Sequence, residues 1–261
     1  MKLKIAFNAT LFNDYQSPTI SLIEAASIPD KQCVHSSTLE ITPRTNTESI
    51  TDIYGNTARR LMMPQGSSEV SYSAVVTVNN QTDVTRSTAD CDMMTAAPEL
   101  IHFTNPSRYC PSDRMATLAR DMFGASAPGR GRIEDICHWI NAHIAYQYGT
   151  SNSSTMADDT LLDRTGVCRD FSHLAITLCR GLGIPARYVS GYCLGLDVQD
   201  LHAYFQVYLD DQWVSFDATS PSPRPALIQI ATGRDAADCA WWTVFGNCFT
   251  TNMNVGVEEC L

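Results

Sequence analysis

The hydrophobic pattern of this 261-residue chain changes near residue 100, and that change constrains the fold more than any other feature. Before it, short segments rich in β-branched residues alternate apolar with polar side chains, which is typical of half-buried strands. Gly55 and Asn56 are expected to form a two-residue turn of a tight hairpin. Six such strands predict a sandwich or a partial barrel: "LKIAF", "TISLIEAA", "SSTLEIT", "ESITDIY", "TARRLMM" and "EVSYSAVVTV".

After the change, apolar residues recur every three or four positions, as they do on one face of a helix. Ser112 is predicted to cap the first helix, which Gly124 ends. A second helix carries Ile133, Ile136, Cys137, Ile140 and Ile144 at helical spacing. A third is short, "ADDTLLDR", and a fourth follows Cys168. The chain then returns to strands, which are predicted in "RYVSGYCL", "HAYFQVYL" and "QWVSFDAT".

A stretch with three prolines and no clear period, residues 95–113, separates the two patterns. We place a domain boundary there. The sequence therefore predicts an α+β protein, with a β-rich, sandwich-like N-terminal domain over residues 1–108 and a second domain over residues 109–261. A length of 261 residues suits two domains of ordinary size.

Composition excludes several classes of function. The formal net charge of −10 disfavours binding to nucleic acid or to an anionic membrane surface. No apolar run approaches the roughly 20 residues that span a bilayer, and the first residues do not resemble a signal peptide. The ten cysteines form no CxxC pair, which disfavours a structural zinc site. We therefore expect mostly reduced, buried thiols in a cytoplasmic protein.

One cysteine lies where a helix is predicted to begin. In "RTGVCRDFSHLAITLCRGLGIPAR", Cys168 precedes the apolar stripe of the helix and follows Gly166 by two positions. A helix N-terminus stabilises a thiolate, its N–H groups can hold an oxyanion, and glycine leaves room for a substrate carbonyl. The alternative is a small residue in a tight turn. A nucleophile also needs a base and an orienting group, and His202 and Asp217 on the following strands can supply them.

Other candidates are weaker. His173 lies five residues after Cys168, about 140° around the helix, and Asp170 suits a partner of the helix dipole. His138 and His143 are five apart, not the four that two ligands of one metal need. Four further residues have no useful spacing or lie on apolar faces: His35, His102, Cys137 and Cys179. Tyr146 and Tyr148 precede the cysteine helix, where either could donate to an oxyanion, although packing explains them equally.

Three motifs together resemble the bacterial transglutaminase-like family of cysteine peptidases: "TGVCRDFSHLAITLCRGLGIPARYVSGY", "HAYFQVYLDDQWVSFDAT" and "GRDAADCAWW". The segment "DIYGNTARRL" resembles the β-domain that precedes the catalytic domain in that family. The resemblance implies a papain-like α+β core in which Cys168 is the nucleophile, His202 the base and Asp217 the orienting group. Tyr204 and Ala218 depart from the family, which often has Trp and Pro at these positions.

The resemblance implies an enzyme that attacks amide or peptide bonds of a protein or peptide and forms a thioester, with no metal or organic cofactor. Water would resolve the thioester in a peptidase or amidase, which we favour because a dedicated amine site has no visible signature. A lysine amine would resolve it in a transglutaminase. A non-catalytic binding module is the alternative from another class, although it usually accompanies a lost nucleophile or base.

The spacing also makes a geometric prediction. If Asp210 and Asp211 form a two-residue turn, His202 and Asp217 become diagonal neighbours on one face of the sheet. The Nδ1 atom of His202 is then expected to bond Asp217, with Cys168 beside the other ring nitrogen.

Overall fold

The computed structural model describes residues 1–79 and 89–260. Six strands come first: β1 (Lys2–Asn13), β2 (Ser17–Ser21), β3 (Gln32–Thr42), β4 (Thr47–Thr51), β5 (Thr57–Met63) and β6 (Gly66–Val78). The helical part follows a 3₁₀ turn at Pro98–Phe103, and comprises α1 (Ser112–Phe123), α2 (Arg130–His143), β7 (Ala145–Tyr146), α3 (Ala157–Asp163), β8 (Thr165–Gly166) and α4 (Cys168–Gly181). The last strands are β9 (Ala186–Cys193), β10 (His202–Leu209), β11 (Gln212–Phe216), β12 (Leu227–Gly233), β13 (Trp242–Val244) and β14 (Cys248–Glu259).

The β-rich part consists of two four-stranded sheets, ordered β14-β1-β6-β3 and β13-β2-β5-β4. β1 buries every second side chain from Leu3 to Leu11, and β5 contributes Leu61 and Met63 to the same core. A half-buried strand exposes alternate residues, so this pattern gives each sheet one apolar face. The predicted sandwich-like N-terminal region is confirmed.

Two strands of these sheets come from the end of the chain. β13 pairs with β2, and β14 pairs with β1 along most of its length. Residues 242–259, which the sequence assigned to the second domain, therefore complete sheets formed by the first 80 residues. The boundary near residue 108 stays a prediction.

Two local expectations differ from the structure. Thr51 pairs with Thr57, so residues 52–56 form the hairpin loop instead of Gly55 and Asn56 alone. The carboxylate of Asp52 holds this longer loop by accepting N–H groups from within it, including that of Asn56 at 2.8 Å. Ser112 is the first residue of α1 and makes no capping bond; Pro111 precedes the helix.

The second region packs α4 against the antiparallel sheet β11-β10-β9-β12. The segments predicted as helices and strands after residue 111 all form, and together they give the expected α+β core. Leu209 pairs with Gln212, so Asp210 and Asp211 make the predicted two-residue turn, both with positive φ (48° and 59°). Positive φ at both central residues matches the twist of paired strands.

Side-chain amides join the two regions at the edge strand β12. Gln32 donates to the Gln229 carbonyl at 2.9 Å and accepts the Gln229 N–H at 2.8 Å. Asn56 makes the same pair of bonds to Thr232. These bonds satisfy backbone groups that an edge strand otherwise leaves unpaired. Within the described residues, no helix is both long and apolar enough to cross a bilayer.

Candidate active site

Cys168 is the first residue of α4, and its side chain is half buried. Asp170 fixes this end of the helix, because its carboxylate accepts the Val167 N–H at 2.9 Å. A Cβ atom at Gly166 would lie 2.8 Å from the Asp170 Cβ. The missing side chain at Gly166 thus makes room for Asp170, a reason different from the substrate access that the sequence suggested. The arrangement places the Cys168 thiol at the positive end of a 14-residue helix.

His202 opens β10 and Asp217 directly follows β11, and the two-residue turn brings both to the same face. His202 Nε2 lies 2.8 Å from Asp217 Oδ2, and both side chains are buried. The prediction that Nδ1 would make this bond is wrong. Because Asp217 is a diagonal neighbour on the adjacent strand, the imidazole reaches it with the nitrogen farther from the backbone. Nδ1 is then the ring nitrogen left for Cys168.

Hydrogen bonds within the site shift the pKa values of His202 and Asp217. Burial alone would lower the pKa of His202, but hydrogen bonding to Asp217 and to Cys168 raises it to about 9. Burial would likewise raise the pKa of Asp217, but hydrogen bonds from His202 and Thr219 lower it to about 2. At neutral pH His202 is therefore an imidazolium beside an ionised Asp217.

A second layer of donors surrounds Asp217, and sequence reasoning missed it. Asp217 Oδ1 accepts the Thr219 N–H at 2.9 Å and the Thr219 hydroxyl at 2.7 Å. Arg224 Nε donates to Oδ2 at 3.0 Å. Threonine two residues after aspartate is a recognisable turn spacing. Arg224 lies seven residues away in a proline-rich loop, where no spacing rule points to it.

Tyr146 approaches Cys168 from β7. Burial raises the pKa of its phenol, and the neighbouring Cys168 and Tyr148 raise it further, while a hydrogen bond with the Cys168 backbone acts in the opposite direction. The Tyr146 and Tyr148 rings meet edge to face, with centroids 5.5 Å apart. Of the two tyrosines, Tyr146 is thus the one in contact with the candidate nucleophile.

The competing histidines lie elsewhere. His173 is buried between Tyr109 and Tyr188, and its Nε2 accepts the Ala236 N–H at 3.1 Å. Burial, together with Arg169, lowers the pKa of His173 to about 3, so it is neutral. Three others have separate surroundings: His143 stacks on Trp139, His35 bonds Thr77, and His138 lines a cavity.

That cavity, about 540 Å³, opens behind Asp217 and between the two regions of the molecule. Its walls include Tyr204, Gln206 and Arg224 from the second region, and Lys31 from the β-rich region. Cys168 and His202 are not among its lining residues. This cavity therefore borders the Asp217 carboxylate and not the Cys168 thiol.

Comparisons with known proteins identify the family of the chain. The family model of the transglutaminase-like superfamily matches residues 116–218. A Mycobacterium leprae protein of unknown function is 30% identical over 263 residues, which cover 94% of each chain. The crystal structure of a Cytophaga hutchinsonii protein, proposed to be a cysteine protease, is 36% identical and superposes with a TM-score of 0.92 over 99% of this chain and 90% of that one. The chain belongs to the transglutaminase-like superfamily.

A Mycobacterium tuberculosis relative is 32% identical over 144 residues, which cover 49% of this chain and 45% of its own length. The superfamily match spans all three residues that the sequence proposed as catalytic, Cys168, His202 and Asp217. Their catalytic roles remain a proposal, which the geometry above supports.

Proposed function

We propose that this transglutaminase-like protein is a thiol hydrolase that cleaves amide or peptide bonds of a protein or peptide, with Cys168, His202 and Asp217 as its catalytic triad. One observation carries the proposal. A half-buried thiol at a helix N-terminus contacts an imidazole that is bonded, at 2.8 Å, to a buried carboxylate. The Cytophaga protein supports the same activity, since it is proposed to be a cysteine protease.

In the first half of the reaction, the Cys168 thiolate attacks the carbonyl carbon and forms a tetrahedral oxyanion. The free N–H groups at the start of α4 are placed to stabilise that oxyanion. The C–N bond then breaks, the amine leaves with the proton from His202 Nδ1, and a thioester to Cys168 remains.

In the second half, water attacks the thioester while His202 takes one of its protons. The C–S bond breaks, the carboxylic acid leaves, and the thiolate–imidazolium pair is restored. Asp217 keeps the imidazole in place and stabilises its charged form throughout. The pKa of about 9 for His202 means that the imidazolium is present at neutral pH, ready to protonate a leaving amine.

The proposal is tested by incubating the protein with casein and a fluorescent amine. New peptide termini or ammonia are expected with the wild type and with Cys33→Ala, whose cysteine is exposed in the β-rich region. Neither product should form with Cys168→Ala. Incorporation of the amine would instead assign transglutaminase activity. Identical behaviour of the wild type and Cys168→Ala on a broad substrate panel would favour a binding module.

We also propose a cytoplasmic location. All ten cysteines are free, as expected for thiols in a reducing compartment. Thiol titration of the protein, isolated under conditions that block exchange, should then count ten reactive sulfurs after denaturation. Disulfide bonds in the isolated protein would contradict a cytoplasmic location.

A further inference from the structure

Arg224 closes a ring of hydrogen bonds around the carboxylate of Asp217. Its Nε donates to Oδ2 at 3.0 Å, and its Nη2 donates to the Thr219 hydroxyl oxygen at 3.0 Å. That hydroxyl donates in turn to Oδ1 of the same carboxylate at 2.7 Å. Both carboxylate oxygens are therefore held, and the planar guanidinium fixes the orientation of the carboxylate plane.

Arg224 and His202 share a single oxygen atom. Asp217 Oδ2 accepts from His202 Nε2 at 2.8 Å and from Arg224 Nε at 3.0 Å. We propose that Arg224 is a positioning residue for the catalytic triad. It holds Asp217 against His202 and limits how tightly His202 retains its proton. This inference rests on the proposed function, and it adds a fourth residue to the machinery of that reaction.

Several charged and titratable groups surround His202, Asp217 and Arg224. His202 faces Cys168 from α4, Asp200 from the loop before β10, and Asp217. Its ring also lies near Tyr204 on its own strand. Asp217 and Arg224 face two further thiols, from α2 and β9, which burial keeps neutral: Cys137 and Cys193. Arg224 is a permanent cation that bonds Asp217 directly, and four further charged or titratable residues line the cavity beside this pair: Lys31, Arg130, Glu134 and His138.

The guanidinium of Arg224 repels the imidazolium of His202, because both bond the same oxygen of Asp217. Two positive groups that share one carboxylate oxygen lie within about 6 Å of each other, where like charges shift protonation equilibria. Loss of the Arg224 charge would therefore stabilise the imidazolium and slow the step in which His202 releases its proton. The side chain of Arg224 is 20% exposed, so solvent screening reduces this effect.

The cavity offers a way to test this role by chemical rescue. Arg224 lines the 540 Å³ space behind Asp217. Replacement of its side chain by a shorter one would enlarge that space next to the carboxylate. Guanidinium ion from solution could then occupy the position of the missing group.

The experiment follows the titration of the His202 imidazole by NMR in full-length wild type, Arg224→Gln and Arg224→Lys. Arg60→Gln is the matched control, because it removes the same charge from an exposed ion pair of the β-rich region. In Arg224→Gln, the titration midpoint of His202 should rise by about 0.5 pH unit or more, consistent with a neighbouring charge that is partly screened. In Arg224→Lys and Arg60→Gln it should stay within about 0.2 unit, since the first keeps the charge and the second acts remotely.

Turnover gives the second measurement. Arg224→Gln should lower kcat about tenfold, at the lower end of general acid–base effects. Guanidinium should restore part of that loss and leave Arg60→Gln unaffected. Arg224→Lys should lower kcat at an unchanged midpoint, because a point charge cannot bridge Asp217 and Thr219. If Arg224→Gln does not fold, the kcat of Arg224→Lys tests the proposal instead. An unchanged kcat in that variant would overturn the proposal.

A midpoint in Arg224→Gln that is unchanged or lower would overturn the positioning role. The titration needs no substrate, so it is independent of the proposed hydrolase activity. A raised midpoint in a protein without turnover would support the role of Arg224 and reject the proposed function. Turnover that requires Cys168 but is unchanged in the Arg224 variants would support the proposed function and reject the role of Arg224.

Discussion

Two buried histidines, His202 at the start of β10 and His173 in α4, show how the same side chain acquires opposite properties. His202 and His173 are both almost inaccessible to solvent, with relative exposures of 4% and 0%. The pKa of His202 is raised to about 9, while burial lowers the pKa of His173 to about 3. Burial by itself cannot explain this difference, because it disfavours the charged form of both.

The partner of each ring explains the difference. His202 Nε2 bonds a carboxylate, which favours the imidazolium. His173 Nε2 accepts the N–H of Ala236, a bond that needs a lone pair and therefore a neutral ring. Asp170 also acts on His173 through its charge, but its carboxylate bonds Val167 and Arg169 instead of the ring. A buried histidine thus becomes a candidate base where a carboxylate bonds its ring directly.

The largest expected effect separates the two histidines by activity. His202→Gln should lower kcat/KM of the hydrolysis by roughly 10³-fold, within the range for loss of a general acid–base group. His173→Gln keeps an acceptor for Ala236 and should stay within about tenfold of the wild type, since it touches no reacting atom. Kinetics on the best substrate of the panel measure both. Equal losses in two well-folded variants would remove the distinction between these histidines.

A smaller effect concerns the thiol that His202 contacts. After brief treatment with iodoacetamide at pH 6, mass mapping should show Cys168 labelled at least about tenfold faster than the other cysteines, because its sulfur lies at a helix N-terminus beside the His202 imidazole. Burial raises the pKa of seven of the nine competitors: Cys91, Cys110, Cys137, Cys179, Cys193, Cys239 and Cys248.

His202→Gln should remove most of this preference for Cys168, and His173→Gln should preserve it. Exposed Cys33 serves as the internal reference for an unassisted thiol in the same sample. Uniform labelling, or a different cysteine that reacts first, would count against Cys168 as the nucleophile.

The sequence was sufficient to place His202 and Asp217 together. Strand alternation and the two-residue turn at Asp210 and Asp211 are local properties, and both are confirmed. The choice of ring nitrogen was not predictable, because it depends on the distance across two strands. The long hairpin loop that ends at Asn56 was missed for a similar reason, since its side chain bonds Thr232, 176 residues away.

Pairing between distant segments escaped sequence analysis altogether. β14 has the alternation of any strand, and nothing in its own residues indicates that Val257 pairs with Ile5. Arg224 was not predicted for the same reason. It bonds Asp217 from a proline-rich loop, and no repeating sequence pattern indicates such a contact. Periodicity predicts which elements form and which faces they bury, while contacts between loops depend on the assembled fold.

The smallest expected effect is on stability, and it has opposite signs for the two histidines. An unfolded histidine has a pKa of about 6.5. Since the pKa of folded His173 is about 3, the unfolded state binds more protons below pH 6.5, and stability falls as the pH drops from 6.5 toward 3. The pKa of folded His202 is about 9, so its contribution is complete below pH 6.5 and is lost as the pH rises through 9.

Urea denaturation of the wild type and the variants between pH 4.5 and 9.5 measures both histidine contributions as differences between the curves, each at most ~1.4 kcal/mol per pH unit. The buried thiols, which affect stability above about pH 8.5, are common to all the curves. Asp217 does not interfere with the acid side, because its pKa of about 2 places the loss of its contribution below pH 3.8. His173→Gln should flatten the curve between pH 4.5 and 6.5 and leave the alkaline side unchanged. His202→Gln should flatten the curve between pH 7 and 9.5 alone. If both variants flattened the same side, the opposite charge states of these two buried histidines would be wrong.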